Sequence, residues 1–304
     1  MGASALKRPV AVIGAGAIGL SLASALARTG RPVTVCGRTP VDRIEVIEDG
    51  VAEAWPVSYT NDPDEIAGFE TAILAVKTHQ TDTAGDWLRR LADPAATVLV
   101  AQNGIEHRER VAPYTGPAHL VPAVVYLNVE RTAPGRAILR RVGDRDLAVP
   151  DDDPGRAIAA ELSAGRMRVG LEADLATTAW AKLLTNITAN PLTALTGRRA
   201  EVIGDPSIGD IARTIMTEAA QVARAEGAAL TDAHVESALE WLRNVPEGAT
   251  TSMRQDRIAG RPLEYDALSG AVVRAAGRHG IEVPVNRLIL ALVAAIRSEK
   301  VGTR

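Results

Sequence analysis

The chain has 304 residues, 46% of them hydrophobic and 23% charged, with a formal net charge of -3. That length suits about two domains and that composition supports a packed core. The charge balance gives no basic surface for nucleic acid or for an acidic membrane. Cys36 is the single cysteine, so no internal disulfide forms and a reducing compartment is the expected setting. Of 34 basic residues only Lys7, Lys77, Lys182 and Lys300 are lysine. In a chain that prefers arginine so strongly, a lysine inside an apolar stretch needs a reason.

In chain order, PVAVIGAG reads as a strand and its turn, and IGLSLASALARTG as a helix closing at Gly30. PVTVCG is the next strand, with Cys36 as a small buried filler rather than a reactive thiol. TAILAV from Thr71 and ATVLVAQNG from Ala96 are further strands, and DTAGDWLRRLAD between them has helical spacing. Strands alternating with helices predict a parallel sheet covered on both faces. Leu120 to Val149 is β-rich and broken at Pro134 and Gly135, which predicts a terminal hairpin. Asp151, Asp152, Asp153, Pro154 and Gly155 read as a solvated acidic turn, because calcium-ligand spacing does not continue.

From Asp174 the pattern becomes helical. DLATTAWAKLLTNITANPLTAL is one helix, and Asp205-Pro206 caps a second that runs to Gly227. Thr231 begins a third, and two more follow after Arg261 and Pro284. The domain boundary is expected between Leu171 and Asp174. The start has no apolar region ahead of a cleavage site. The late run LILALVAAI falls short of the roughly 20 residues that span a bilayer, so a cytoplasmic protein is expected.

The loop GAGAIG, Gly14 to Gly19, follows a strand and begins a helix, the context that gives this pattern meaning. Gly14 permits a tight turn, Gly16 lets backbone approach a pyrophosphate, and Gly19 lets helix and strand pack closely. The helix N-terminus offers N–H groups to phosphate. NAD-binding chains place an acid at the end of the second strand, on the ribose 2′-hydroxyl. Here Gly37 holds that position and Arg38 follows, and an arginine binds a 2′-phosphate that an acid would repel. NADP(H) is the expected cofactor.

Lys182, Asn186 and Asn190 recur at i+4 spacing along one face of AWAKLLTNITANPLTAL, among Trp180, Leu183, Leu184 and Ile187. A helix apolar on several sides is largely buried, so this polar stripe reads as the lining of a cleft. A desolvated lysine there has a lowered pKa. Pro191 is expected to kink the helix beside the stripe. TTSMRQDRIAGRPLEYDALSG adds Ser252, Asp256, Glu264 and Asp266. Lys77 of AVKTHQ and Asn103 of AQNG stand just after predicted strands, where open α/β sheets bind ligands.

Together GAGAIG, the VK of AVKTH, QNG, the KLLTNITANPLTAL helix and the SMRQD…G-R-x-x-E-x-D…G block resemble the ketopantoate reductase family (2-dehydropantoate 2-reductases) in order, over nearly the whole chain. The resemblance implies an α/β fold: a Rossmann-type doubly wound sheet over 1–173 that binds NADP(H), then an all-α domain over 174–304, with the site in the cleft between them. It implies Lys182 as catalytic proton donor and Glu264 as a catalytic partner near cofactor and substrate. Asn186, Asn190, Ser252 and Asn103 match substrate-binding positions. Gly14, Ala15, Gly16, Ala17, Ile18, Gly19, Arg38, Lys77, Asn103 and Glu264 match cofactor contacts. The implied reaction sends a hydride from NADPH to the C2 carbonyl of a 2-keto acid.

Four positions depart from the family pattern. Ala200 stands where an asparagine contacts substrate, Tyr126 and Asn128 where small residues are usual, and Leu263 where threonine is common. These leave open a paralogue acting on another 2-keto acid or carbonyl, and a non-catalytic NADP-binding sensor is the third reading. The expected partner is a small 2-keto acid, and a homodimer is left open. Five histidines without an i+4 pair give no metal site, the absence of G-x-S-x-G disfavours a serine hydrolase, and four Trp, four Tyr and one Phe are few for nucleic-acid stacking.

Overall fold

The computed structural model describes residues 8–246 and 248–296; Lys7 and Lys300 lie outside these described residues. The chain forms two compact units. The first runs to Asn103 and resumes over His107–Leu175; the second takes Gly104–Glu106 and the chain from Ala176 onward. No described helix is long and apolar enough to cross a membrane.

In the first unit β1 (Val10–Ile13) leads into α1 (Ala17–Arg28), and β2 (Val33–Cys36) follows. Next come β3 (Arg43–Glu48), β4 (Val51–Pro56), β5 (Ser58–Thr60) and β6 (Thr71–Leu74). The short α2 (Gly85–Arg89) precedes β7 (Thr97–Val100), and α3 (His107–Thr115) precedes β8 (His119–Pro122). The main sheet has the order β5-β2-β1-β6-β7-β8, with every pair parallel. Its growth reverses between β1 and β6, so the switch point of a Rossmann-type sheet lies beside the glycine loop. β1 is buried on both faces. Val10 and Val12 join a core with Leu22 and Leu26 of α1, while Ala11 and Ile13 join another with Leu88 and Val111. This is why the strand reads as an unbroken apolar run.

Where the structure departs from the expectations, the cause is local chemistry. Residues 43–56, where no element is expected from the sequence pattern, form the antiparallel β3–β4 hairpin. Its two-residue turn is Asp49-Gly50, with φ of 50° and 79°, the conformation that favours Asp-Gly. The hairpin expected around Pro134-Gly135 is present. It follows β9 (Val124–Val125) as β10 (Asn128–Ala133) and β11 (Arg136–Arg140). It is not terminal, however, because β11 pairs with β3 to make a separate sheet, β10-β11-β3-β4. After β12 (Leu147–Pro150) the acidic stretch is exposed, as expected, but from Asp153 it is the start of a helix rather than a loop. Asp152 accepts a hydrogen bond from the Gly155 N–H at 2.8 Å and caps α4 (Asp153–Ala164), with Pro154 in its first turn. β13 (Val169–Glu172) closes the unit by pairing with β12. The helix expected over DTAGDWLRRLAD is α-helical only over Gly85–Arg89, preceded by 3₁₀ turns.

The second unit is helical: α5 (Leu175–Thr196), α6 (Pro206–Ala225), α7 (Asp232–Arg243), α8 (Ser252–Ile258), α9 (Ala271–His279) and α10 (Pro284–Ala294). α5 is a continuous helix of 22 residues that contains Pro191 without ending there. Asp205 caps α6 through the Ser207 N–H, and Thr231 with His234 forms a capping box on α7. The Glu218 carboxylate accepts N–H groups of Val285 and Asn286 at 3.0 and 2.9 Å, which ties α10 to α6. α8 was not separated in the sequence, where Ser252 was placed ahead of a helix; Thr251 caps it through the Arg254 N–H at 3.2 Å. A wide π-type turn over Asp266–Gly270 leads into α9.

Candidate active site

In the first unit the candidate residues begin at the loop between β1 and α1. Gly14 has φ of 109°, and a Cβ there would stand 2.7 Å from the Val76 backbone nitrogen. At Gly19 a Cβ would fall 2.0 Å from the Gly14 carbonyl oxygen. Both positions admit only glycine, because backbone on either side cannot give way. Gly16 is different: the nearest atom to a Cβ there is 3.8 Å away. No clash within the chain demands glycine at position 16, where a Cβ would make only an ordinary contact; a glycine there keeps side-chain atoms out of the space ahead of the helix, where a dinucleotide pyrophosphate approaches such a loop. Gly16 is also the N-cap of α1, with no side chain capping it and no acid in the first turn. First-turn N–H groups and the positive end of the helix dipole are therefore directed at that space.

Two neighbouring loops are drawn to the same place. The Gly14 N–H donates to the Cys36 carbonyl at 3.0 Å, which seats the end of β2 beside the loop and brings exposed Arg38 two residues further on. The thiol of Cys36 is buried, and desolvation pushes its pKa up to about 12. Half-buried Lys77 follows β6, next to Val76, which packs on Gly14.

Asn103 follows β7, and a buried side chain with no signal in the sequence ties its loop to that of Lys77. Gln102 Nε2 donates to the Val76 carbonyl at 2.9 Å and to Thr81 Oγ1 at 3.1 Å, while His107 Nε2 donates to the Gln102 carbonyl at 2.9 Å. Gln102 and His107 are only 4% and 6% exposed, so these bonds are not exchanged for water. The glycine of QNG is needed within the second unit: at φ of 102° its Cβ would meet the Ala267 carbonyl at 2.7 Å.

Burial lowers the His107 pKa, against the opposing pull of its bond to the Gln102 carbonyl. The folded pKa lies below the unfolded value of about 6.5, so the unfolded chain takes up the proton first as pH falls. Stability from this group is full above about pH 6.5 and declines below it, by at most about 1.4 kcal/mol per pH unit. Urea unfolding at pH 7 and pH 5 should show a smaller acid loss in His107→Gln than in the unmutated chain. Equal losses would remove His107 as the cause.

In the second unit the candidate residues stand on α5. Lys182 and Asn186 are half-buried and Asn190 is 6% exposed, all on the face set by their i+4 spacing. Desolvation lowers the Lys182 pKa. Its ammonium lies 6.0 Å from the ring centroid of Trp241 on α7, a neighbour for which the sequence carried no signal. A ring face at that distance attracts the cation and opposes the desolvation.

The structure joins Asn190 and Ser252. Asn190 Oδ1 accepts the Ser252 hydroxyl at 3.3 Å and the Met253 N–H at 3.2 Å. Thr193 and Thr251 hydroxyls meet at 2.6 Å one turn along. The amide oxygen of Asn190 is thus engaged by α8, and its Nδ2 is the group left to donate. Glu264 is 6% exposed, just ahead of the π-type turn. Asp256 and Asp266, grouped with it in the sequence, are ion-paired with Arg261 at 2.8 Å and Arg274 at 2.6 Å.

Comparison with known proteins agrees with this composition. Residues 10–151 match the family model described as ketopantoate reductase PanE/ApbA, and residues 174–297 match its C-terminal counterpart. A 2-dehydropantoate 2-reductase of Mycobacterium tuberculosis is 37% identical over 288 residues, covering 94% of this chain and 97% of the relative. A crystal structure of a PanE/ApbA family ketopantoate reductase from Ralstonia eutropha aligns with a TM-score of 0.86 and 30% identity, over 95% of this chain and 98% of that one. A dimeric ketopantoate reductase from Staphylococcus aureus aligns at 0.84 with 27% identity, over 95% and 98%. With both halves of the chain matched by the family and a relative at 37% identity over nearly its whole length, the chain belongs to the ketopantoate reductase family.

Proposed function

We propose that this chain reduces ketopantoate to pantoate with NADPH, Lys182 being the proton donor and Glu264 its catalytic partner. The observation that carries the proposal is the α5 stripe: a desolvated lysine followed at i+4 spacing by two asparagines, the second already linked to Ser252. A reduced nicotinamide bound to the first unit would supply a hydride, a hydrogen with two electrons, to C2, the cofactor becoming oxidised and the carbonyl oxygen an alkoxide. The Lys182 ammonium stabilises the charge growing on that oxygen and then transfers a proton from Nζ, giving the 2-hydroxy acid. Asn190 Nδ2 and Asn186 hydrogen-bond the polar groups away from C2, and Ser252, whose proton is engaged by Asn190, offers them oxygen lone pairs. Arg38, Lys77, Asn103 and the loop from Gly14 to Gly19 hold the cofactor in this reading. The buried Cys36 thiol suits the reducing cytoplasm proposed as its setting, and a homodimer is the proposed assembly.

The test is NADPH oxidation with ketopantoate and a panel of 2-keto acids. A site whose buried amides pair with a substrate hydroxyl rejects an analogue that lacks it, whereas apolar walls discriminate weakly. Ketopantoate should exceed 2-ketoisovalerate by at least about tenfold in kcat/KM. Buried Ala200 offers no polar contact where the family asparagine stands, which should keep that margin below the one in members that retain it. A preference for 2-ketoisovalerate, or no turnover of ketopantoate, would assign the site to a different carbonyl substrate.

A further inference from the structure

We infer that Arg131 is a second arginine for the cofactor, binding the pyrophosphate at the glycine loop, where Arg38 serves the 2′-phosphate; this rests on the NADPH reading above. Arg131 Nη1 approaches the Ala15 carbonyl oxygen at 3.4 Å, so a guanidinium from β10 stands at the middle of GAGAIG, 116 residues away in the chain. One long bond to a carbonyl uses one of five donors and leaves the planar fork available to phosphate. The strand pattern delivers it there. Val129 packs on the core that contains α1, and Arg131, two residues on, shares that face. A register shift in the β10–β11 pairing falls between Arg131 and Ala133, and such bulges re-aim side chains near functional sites.

Charge singles out this arginine among its neighbours. Arg140 on β11 pairs with Glu130, Arg136 with Glu45 and Arg141 with Glu48 and Asp146. Arg131 has no carboxylate partner among the described residues. A positive group left uncompensated beside the α1 N-terminus adds to a field that already favours an anion. Its chemistry there is that of a diphosphate clamp common to NADPH and NADH.

The experiment titrates the full chain, Arg131→Gln, Arg131→Lys and Arg38→Gln with NADPH and with NADH, following nucleotide fluorescence. Arg131→Gln should weaken both cofactors by a similar factor, about ten- to a hundredfold for one charge-assisted phosphate contact. Arg131→Lys should recover part of the loss, because the charge is kept and the fork is not. Arg38→Gln should weaken NADPH alone. Unchanged affinity of Arg131→Gln for both nucleotides overturns the inference. A loss confined to NADPH also overturns it, by moving Arg131 to the 2′-phosphate. Failure of the unmutated chain to bind NADPH would instead overturn the reading on which it rests. Arg131 is exposed, so melting temperatures of its variants should match that of the unmutated chain, and a large drop would give the affinity loss to misfolding and overturn the assignment.

Discussion

Lys182→Ala should lower kcat for ketopantoate reduction by about 10²–10⁴ while leaving the Kd for NADPH nearly unchanged. The size follows from what the residue supplies. It is the ammonium of the α5 stripe, and in the proposed mechanism alanine removes both the charge that stabilises the forming alkoxide and the proton that ends its life. A loss of that scale corresponds to about 3–5 kcal/mol of transition-state stabilisation. Lys182→Arg separates the two roles, since arginine keeps the charge but does not release a proton near neutral pH. It should recover only part of the rate.

The pH profile gives an independent measure with a definite sign. With Lys182 as the proposed proton donor, reduction needs it protonated, so the rate should fall as pH rises through its pKa. Desolvation has lowered that pKa from the ordinary lysine value, so the decline should begin earlier than for an exposed lysine. Trp241→Leu removes the ring that favours the cation and should move the decline to still lower pH. A near-original rate in Lys182→Ala would show that another group donates the proton.

Arg38→Asp should weaken NADPH by about ten- to a hundredfold and NADH far less, inverting or erasing the preference between them. The end of β2 explains why. Nothing lies within 4 Å of a Cβ built at Gly37, so the chain has room for an acidic side chain and carries none. The backbone there is held in place: the Gly37 N–H donates to the Thr60 carbonyl at 3.1 Å, and the Tyr59 hydroxyl donates to the Gly37 carbonyl at 2.9 Å. Arg38 therefore leaves a firmly placed strand end with an exposed guanidinium. An aspartate in its place meets the 2′-phosphate with like charge, yet can accept from a 2′-hydroxyl. Titration with both nucleotides reads the difference directly, and equal affinities in the unmutated chain would remove the claim.

What could be read from the sequence was what is decided within a few residues. Val10 to Gly19 combine an apolar run with glycines at three positions, and no other local structure uses them so well. Asp205-Pro206 and Thr231 start helices through their own side chains. The i+4 spacing of Lys182, Asn186 and Asn190 places them on one face wherever α5 sits. Asp49-Gly50 as a hairpin turn and Asp152 with Pro154 as a helix start are local as well, both spelled out in the sequence by short signals beside longer ones.

The remainder was decided by tertiary structure. Asn190 meets Ser252 across 62 residues, and only that contact shows which end of the amide is engaged. His107 could not be told from a surface histidine until the fold buried it against the Gln102 carbonyl. Trp241 and Lys182 lie on separate helices, and Arg131 reaches Ala15 from a strand in another sheet. Periodicity tells which face of an element a residue occupies, but not which element that face will meet. That choice belongs to packing, where each buried polar group takes the partner that the whole core leaves within about 3 Å.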